Sequence, residues 1–197
     1  MSYLHEVDEL QASDEVARLY EEDRARLGHV ANYTRTFSAR PAVYRAWQAL
    51  NGSVKAATDL RTYEVATVAA ARELRSSYCL LAHGSVLAGI VGETGVHELV
   101  AGDDGALDAR DRAVARLAAK VATDASSITP DDYAELRGLG VDDAGILDVV
   151  LAAAARCFFS TVLDATGTLP DAAYASALSP ALVGELTVGR PIEESAG

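Results

Sequence analysis

The segment from Glu64 to His83 reads EVATVAAARELRSSYCLLAH, and its pattern of apolar residues is that of two consecutive helices. Valines and alanines recur at helical spacing in the first part, which predicts a helix over residues 60–73. The polar run Arg75–Ser77 interrupts the pattern and offers a helix cap. A second apolar helix is predicted from Tyr78 to about Val91, and the glycines beyond it are expected to end it.

Helical periodicity continues on both sides of this segment. Upstream, Ser13 is predicted to cap a helix that Gly28 ends, and a loop over 28–33 follows. Pro41 suits the first turn of the next helix, which the pair Asn51–Gly52 weakens near its end. Downstream, helix starts are predicted at Asp108, Thr129 and Asp143.

No stretch of the chain shows sustained strand alternation, so the sequence predicts an all-α fold. A length of 197 residues favours one domain, residues 1–197, with its core over about 13–170. The tail 180–197 is rich in Pro, Glu, Ser and Gly and is expected to be flexible. The glycines and aspartates of 102–105 are expected to form a surface turn.

The chain carries 17 basic and 29 acidic residues, which gives a net charge of −12. Such an acidic protein is a poor candidate for sequence-independent binding to nucleic acid or anionic membranes, which requires a basic face. The N-terminal residues show no apolar signal core, and the longest apolar stretch, Val149–Ala155, is far shorter than a membrane span. The two cysteines, Cys79 and Cys157, exclude a secreted disulfide framework. We therefore expect a cytoplasmic protein without nucleic-acid or membrane partners.

Three polar residues of the second helix share one face. Ser76, Cys79 and His83 are spaced i, i+3 and i+7, and the last two are one turn apart, within side-chain reach. Cys79 would lie in the first helical turn, where free N–H groups and the helix dipole favour a thiolate. His83 could accept the thiol proton, and Glu64 on the preceding helix could orient the imidazole or pass the proton on. The residues alone thus predict an activated cysteine with a His–Glu relay.

A structural role for the same residues is the alternative. A free cysteine is often a small buried apolar residue, and a histidine within a helix is often a hydrogen-bonded core residue. Cys157 is interpreted in this way, as a packing residue. No Cys or His cluster has zinc spacing and no glycine-rich phosphate loop follows a strand, so neither a metal nor a nucleotide cofactor is expected. The core or a subunit interface is the expected place of Trp47, Tyr78, Phe158 and Phe159.

The spacing of these residues resembles that of a known family. Glu64-x11-Ser76-x2-Cys79-x3-His83 is similar to Glu-x11-Cys-x2-Cys-x3-His, the signature of the AhpD-like alkylhydroperoxidase (carboxymuconolactone decarboxylase) family. The string SYCLLAHG that begins at Ser77 resembles the peroxidase-related branch of that family. The resemblance extends over roughly residues 15–170 and includes the GHVANY segment at 28–33.

The resemblance implies an all-helical fold, assembly into trimers or hexamers, and peroxide reduction by a cysteine pair. Carried over by position, Cys79 would be the attacking thiolate, His83 the base and Glu64 the relay carboxylate. The first cysteine of the signature is Ser76 in this chain, and an alcohol cannot form a disulfide. A peroxide would therefore leave Cys79 as a sulfenic acid, and turnover would need an external thiol or Cys157.

Three functions follow as alternatives. The first is a one-cysteine, peroxidase-related oxidoreductase with antioxidant activity on a small peroxide. The second is an acid–base enzyme of the carboxymuconolactone decarboxylase type, in which His83 and Glu64 act on a small acid or lactone. The third is a non-catalytic family member, such as an oligomeric stress-linked or partner-binding protein. In each case, alanine-rich helices leave apolar faces, which favours self-association.

Overall fold

The computed structural model describes residues 2–102 and 107–194, which fold into helices joined by short loops. No strand occurs within these ranges, which confirms the predicted all-α fold. The α-helices of this part of the chain are α1 (Asp14–Leu27), α2 (Asn32–Phe37), α3 (Pro41–Ala57), α4 (Leu60–Glu73), α5 (Ser77–Ala101), α6 (Ala109–Asp124), α7 (Pro130–Gly138), α8 (Asp143–Ala165) and α9 (Pro180–Leu186). Short 3-10 turns lie at Glu9–Gln11, Ala125–Ser127 and Ala172–Ser176.

Side-chain caps fix several helix ends at the predicted residues. Ser13 Oγ accepts a hydrogen bond from the N–H of Val16 at the start of α1, and Gly28, with a φ of 81°, ends that helix. At the start of α7, the Asp132 carboxylate accepts a hydrogen bond from the N–H of Thr129 at 2.8 Å. A capping hydrogen bond contributes about 1 kcal/mol to helix stability. These ends are therefore encoded by residues close to them in sequence.

Two helices differ from their predicted boundaries. Helix α2 begins at Asn32, inside the segment that was expected to be a loop. Helix α5 continues beyond its predicted end to Ala101, although Gly92 adopts a φ of 76° and a ψ of 165° and so breaks the helical geometry locally. The chain resumes the helix after this kink because Val96 and Leu99 are buried in the core.

Part of the tail that was expected to be flexible, Pro180–Leu186, forms the helix α9. Within this range α9 buries Leu182 and Leu186, which are one turn apart and only 4% and 0% exposed. Helix α9 packs on α5 at Gly84, where an added Cβ would lie 2.8 Å from Cδ1 of Leu186. The polar composition of the tail concealed this short amphipathic helix. Residues 195–197, and residues 103–106 of the predicted turn, lie outside the described part of the chain.

Helix α4 forms the centre of the bundle and contacts α5, α6 and α8. Ten of its fourteen residues are buried, because alanine side chains allow the neighbouring helices to approach closely. One consequence is that Glu64, a charged residue of α4, is fully buried.

Helices α5 and α8 are long and apolar enough to cross a membrane by length and composition. Both are nevertheless engaged in helix packing, α5 against α4 and α9, and α8 against α3, α4 and α6. Helix α8 also carries Arg156, which is buried in the bundle. Part of the apolar surface of these helices therefore lies in the protein core, and the cytoplasmic location stays a prediction.

Candidate active site

A cavity of about 380 Å³ lies between α3, α4, α5 and α8. Its wall contains Cys79 and His83 of α5 together with Arg156 of α8. Aromatic residues form much of the remaining wall, namely Tyr33, Tyr44, Trp47, Tyr63, Tyr78, Phe159 and Tyr174. A concave, mostly apolar site with a few convergent polar groups is the usual form of a small-molecule site.

Glu64 and His83 form a hydrogen-bonded pair beside this cavity. Nδ1 of His83 donates to Oε2 of Glu64 at 2.6 Å, and Nζ of Lys55 lies 3.4 Å from Oε1. Burial on its own raises the pKa of the Glu64 carboxyl, but His83 and Lys55 outweigh burial and hold this pKa below its ordinary value. Glu64 is therefore a carboxylate near neutral pH, with both oxygens in contact with donors.

His83 is an uncharged imidazole near neutral pH. Burial and the positive charge of Arg156 lower the pKa of His83 to about 4, although Glu64 acts in the opposite direction. Because Nδ1 donates its hydrogen to Glu64, the lone pair of the neutral ring is on Nε2. The ring lies edge-on to Tyr63 with 6.1 Å between centroids, and 17% of the side chain is exposed. His83 is thus oriented as a proton acceptor at Nε2.

Cys79 lies in the first turn of α5 and is 1% exposed. Its Sγ accepts a hydrogen bond from Nη1 of Arg156 at 3.3 Å. Among the described residues, no hydrogen bond joins Sγ to His83, although both side chains line the cavity. The one-turn spacing of Cys79 and His83 predicts direct contact between the thiol and the imidazole. In the structure the imidazole turns toward Glu64, and a guanidinium lies beside the sulfur instead.

Arg156 is the site residue that the sequence analysis missed. It is 2% exposed, and its guanidinium carbon lies 5.6 Å from the centre of the Phe159 ring. Burial disfavours its charge, but Cys79 and Tyr63 more than offset this and raise the pKa of the guanidinium. A buried cation requires a negative or hydrogen-bonding neighbour. The available signal was a single charged residue within the apolar run 149–159.

Ser76 and Cys157 are not brought to the cavity. Ser76 is fully buried at the N-terminal end of α5, and its hydroxyl lies beside the carboxyl group of Asp164. Cys157 is half-buried, and burial raises the pKa of its thiol. Neither residue belongs to the cavity wall. Of the four residues predicted for the site, Cys79 and His83 line the cavity, Glu64 contacts His83, and Ser76 lies outside the cavity wall.

Most of the aromatic residues that were predicted for the core or an interface also line the cavity. Trp47, Tyr78 and Phe159 line the cavity, and Trp47 stacks on Phe159 with 4.1 Å between ring centroids. Phe158, in contrast, is 43% exposed on the surface of α8. No group of three or more metal-ligating side chains occurs within residues 2–102 and 107–194.

The backbone matches solved structures of one fold. An uncharacterized peroxidase-related protein from Ralstonia eutropha JMP134, described as an alkylhydroperoxidase AhpD core, matches with a TM-score of 0.77 and 21% identity over 88% of this chain and 94% of that chain. An uncharacterized peroxidase-related protein from Silicibacter sp. TM1040 matches with a TM-score of 0.76 and 24% identity over 89% and 94% of the two chains. The fold is that of the AhpD core.

A third protein with this AhpD-like fold is the debrominase Bmp8. Its structure as a cysteine-to-alanine variant in complex with 2,3,4-tribromopyrrole matches with a TM-score of 0.71 and 14% identity over 92% of this chain and 95% of that chain. No protein-family model matches the sequence, and no curated protein matches it significantly. The structural matches confirm the fold that the resemblance implied.

Proposed function

We propose that this protein is an AhpD-like, peroxidase-related oxidoreductase that reduces a peroxide with the thiol of Cys79. The observation that carries the proposal is the guanidinium of Arg156, 3.3 Å from Sγ, in a cavity that His83 also lines. A cation beside a desolvated sulfur stabilises the thiolate, which is the nucleophilic form. Two proteins of the same fold are named peroxidase-related, which supports the assignment.

In the first half-reaction, the thiol of Cys79 loses its proton to Nε2 of His83 through the bound peroxide or a water. The thiolate then donates an electron pair to one peroxide oxygen, so that an S–O bond forms and the O–O bond breaks. Sulfur is oxidised to the sulfenic acid, and the other oxygen leaves with the electron pair. His83 returns the proton to this oxygen, which departs as an alcohol or water. Glu64 stabilises the transient imidazolium through Nδ1–H.

The second half-reaction requires an external thiol, because Ser76 and Cys157 lie outside the cavity wall. One small thiol attacks the sulfenic acid, which releases water and forms a mixed disulfide with Cys79. A second thiol attacks that disulfide, regenerates the Cys79 thiol and leaves as the oxidised dimer. The reductant is therefore expected to be a low-molecular-mass thiol.

Peroxide treatment followed by dimedone labelling and peptide mass spectrometry tests the proposal. We expect a sulfenic-acid adduct on Cys79 and thiol-dependent turnover of an organic hydroperoxide. Cys79→Ser should abolish both, whereas Cys157→Ser should leave both unchanged and serves as the matched control. A Cys79 that stays unmodified while the peroxide persists would refute the proposal.

The hydrogen-bonded pair Glu64–His83 favours a second candidate, acid–base chemistry on a small acid or lactone without a role for sulfur. A neutral imidazole held by a buried carboxylate is a common general base. The two candidates respond differently to the same variant. Full activity of Cys79→Ser, combined with loss of activity in His83→Asn, would select this second candidate. A non-catalytic role has less support, since the polar groups converge on an accessible cavity.

We also propose that the protein self-associates. Helix α8 exposes Leu147, Leu151 and Phe158 by 55%, 39% and 43%, and their spacing of four and seven residues places them on one face. A second copy of the chain could cover this face. Light scattering after gel filtration should show an oligomer, and Leu151→Glu should dissociate it. A monomer at all concentrations would contradict the proposal.

A further inference from the structure

The cavity wall contains more aromatic surface than a peroxide group requires. Trp47 and Phe159 are stacked at 4.1 Å with 16° between their planes, and Tyr44 lies parallel to Trp47 at 6.2 Å and 6°. Tyr33 meets Phe159 edge-on at 5.7 Å. Aromatic walls of this kind favour another flat ring, in offset-stacked or edge-to-face geometry. A volume of about 380 Å³ is also within the range of organic-ligand sites.

The charged groups of the wall are cations. Arg26 and Lys55 expose 60% and 46% of their side chains, so they lie on the open side of the cavity. None of the described residues in the wall carries a carboxylate, in a chain with 29 acidic and 17 basic residues. Asp23 holds Arg26 at 3.0 Å, whereas Nζ of Lys55 lies 3.4 Å from the Glu64 carboxylate and 5.3 Å from the centre of the Tyr63 ring. Lys55 is therefore the cation best placed to meet an anionic group of a ligand.

A glycine widens the same open side. Gly52 lies inside α3, which continues past it to Ala57 despite the weakening expected from the sequence. It is exposed and lines the cavity, and a Cβ added to it would meet no atom within 4 Å. A glycine within a helix costs about 1 kcal/mol relative to alanine. Close packing is the usual reason for a glycine within a helix, but no atom packs closely against Gly52. The absence of a side chain at Gly52 instead leaves the entrance of the cavity open.

From these three features we infer that the cavity binds a flat aromatic acid, with its ring against Trp47 and Phe159 and its carboxylate toward Lys55. The inference deepens the proposed function and rests on it in one respect, because the aromatic acid would form the body of the organic peroxide that Cys79 reduces. Binding of the ring itself needs no reaction at sulfur. Recognition and chemistry are therefore separable by experiment.

Isothermal titration calorimetry of the reduced full-length protein tests this inference with three matched probes. Naphthoate has a flat ring and a carboxylate, decahydronaphthoate has the carboxylate without aromaticity, and naphthylmethanol has the ring without charge. We expect naphthoate to bind about tenfold more tightly than decahydronaphthoate and about fivefold more tightly than naphthylmethanol. Equal affinities for the three probes, or no binding of naphthoate, would overturn the inference.

Variants locate the binding site. Gly52→Leu fills the entrance while it improves helix propensity, so it should fold and should weaken naphthoate binding by at least about tenfold. Gly138→Leu, at another open helical glycine, is the matched control and should bind normally. Lys55→Gln should weaken naphthoate but not naphthylmethanol, whereas Lys120→Gln on α6 should affect neither. Unchanged binding in Gly52→Leu would place the ligand elsewhere and overturn the inference.

The same titration with Cys79→Ser distinguishes this inference from the proposed function. If naphthoate binds this variant and the wild type equally while the wild type fails to reduce hydroperoxides, the inference stands and the peroxidase proposal fails. If the wild type reduces tert-butyl hydroperoxide but does not bind naphthoate, the peroxidase proposal stands and the inference fails.

Discussion

Nη1 of Arg156 lies 3.3 Å from the sulfur of Cys79, although 77 positions separate the two residues in the chain. The contact joins a buried cation of α8 to the first turn of α5. The His83 ring, in contrast, donates Nδ1–H to Glu64. In the proposed reaction, Arg156 is the partner of the sulfur and His83 is the residue that moves the proton.

Removal of the Arg156 charge should make Cys79 less reactive. We expect Arg156→Gln to slow the alkylation of Cys79 by iodoacetamide at pH 7 about tenfold, which corresponds to about 1.4 kcal/mol. Peptide mass spectrometry over time measures the rate, and circular dichroism shows whether the variant is folded. Arg137→Gln, an exposed arginine that pairs with Asp143, is the control. An alkylation rate equal to that of the wild type would disprove the role of Arg156.

His83 should make the protein less stable in mild acid. Its pKa is lowered from 6.5 to about 4 in the folded protein, so the unfolded state takes up a proton first as the pH falls. Stability is therefore present above pH 6.5 and is lost as the pH falls toward 4. Between pH 7 and pH 5 this loss is about 2 kcal/mol.

Urea unfolding at the two pH values measures this effect. The loss of stability between pH 7 and pH 5 should be smaller in His83→Gln than in the wild type by about the stated amount. His5→Gln, which replaces an exposed histidine near the N-terminus, should behave like the wild type. The assignment fails if His83→Gln and His5→Gln show the same dependence on pH.

The contact of α9 with α5 should contribute strongly to stability. Leu186 is fully buried, and its truncation in Leu186→Ala should lower the free energy of unfolding by about 2–5 kcal/mol. Leu147→Ala changes a leucine that is 55% exposed and should cost much less. Chemical denaturation compares the two variants. Equal, small effects would mean that the segment 180–186 is loosely attached.

Two glycines should respond to alanine in opposite directions. Gly52→Ala should stabilise the protein by about 0.4–1 kcal/mol, because the position is helical and open. Gly92→Ala should destabilise it by about 1–3 kcal/mol, since Gly92 has a φ of 76° and a ψ of 165°, a region open mainly to glycine. Thermal unfolding would show a higher midpoint for the first variant and a lower one for the second. A shift of both midpoints in the same direction would contradict this account.

The sequence predicted the parts of the structure that depend on neighbouring residues. The start of α1 at Ser13 and the end at Gly28 follow from local capping, and the placement of Cys79 and His83 one turn apart on α5 follows from the helical period. Each of these features is decided within one or two turns of helix, so the pattern of the sequence contains it.

Features that depend on distant contacts were not predictable in the same way. Arg156 reaches Cys79 only because α8 packs beside α5, and no local pattern encodes that placement. For Trp47, the sequence predicts a place in the core or at an interface. A residue that lines an internal cavity and a residue that fills the core are both apolar, so the sequence does not distinguish the two. The burial of Leu182 depends similarly on a surface that α5 supplies.

The position of Trp47 has a practical consequence. It is the single tryptophan of the 197-residue chain, and it stacks on Phe159 in the wall of the cavity. Fluorescence excited selectively at the indole band therefore reports from one location, in the same cavity wall as Cys79. The protein carries its own optical probe of cavity occupancy, which requires neither a dye nor an engineered label.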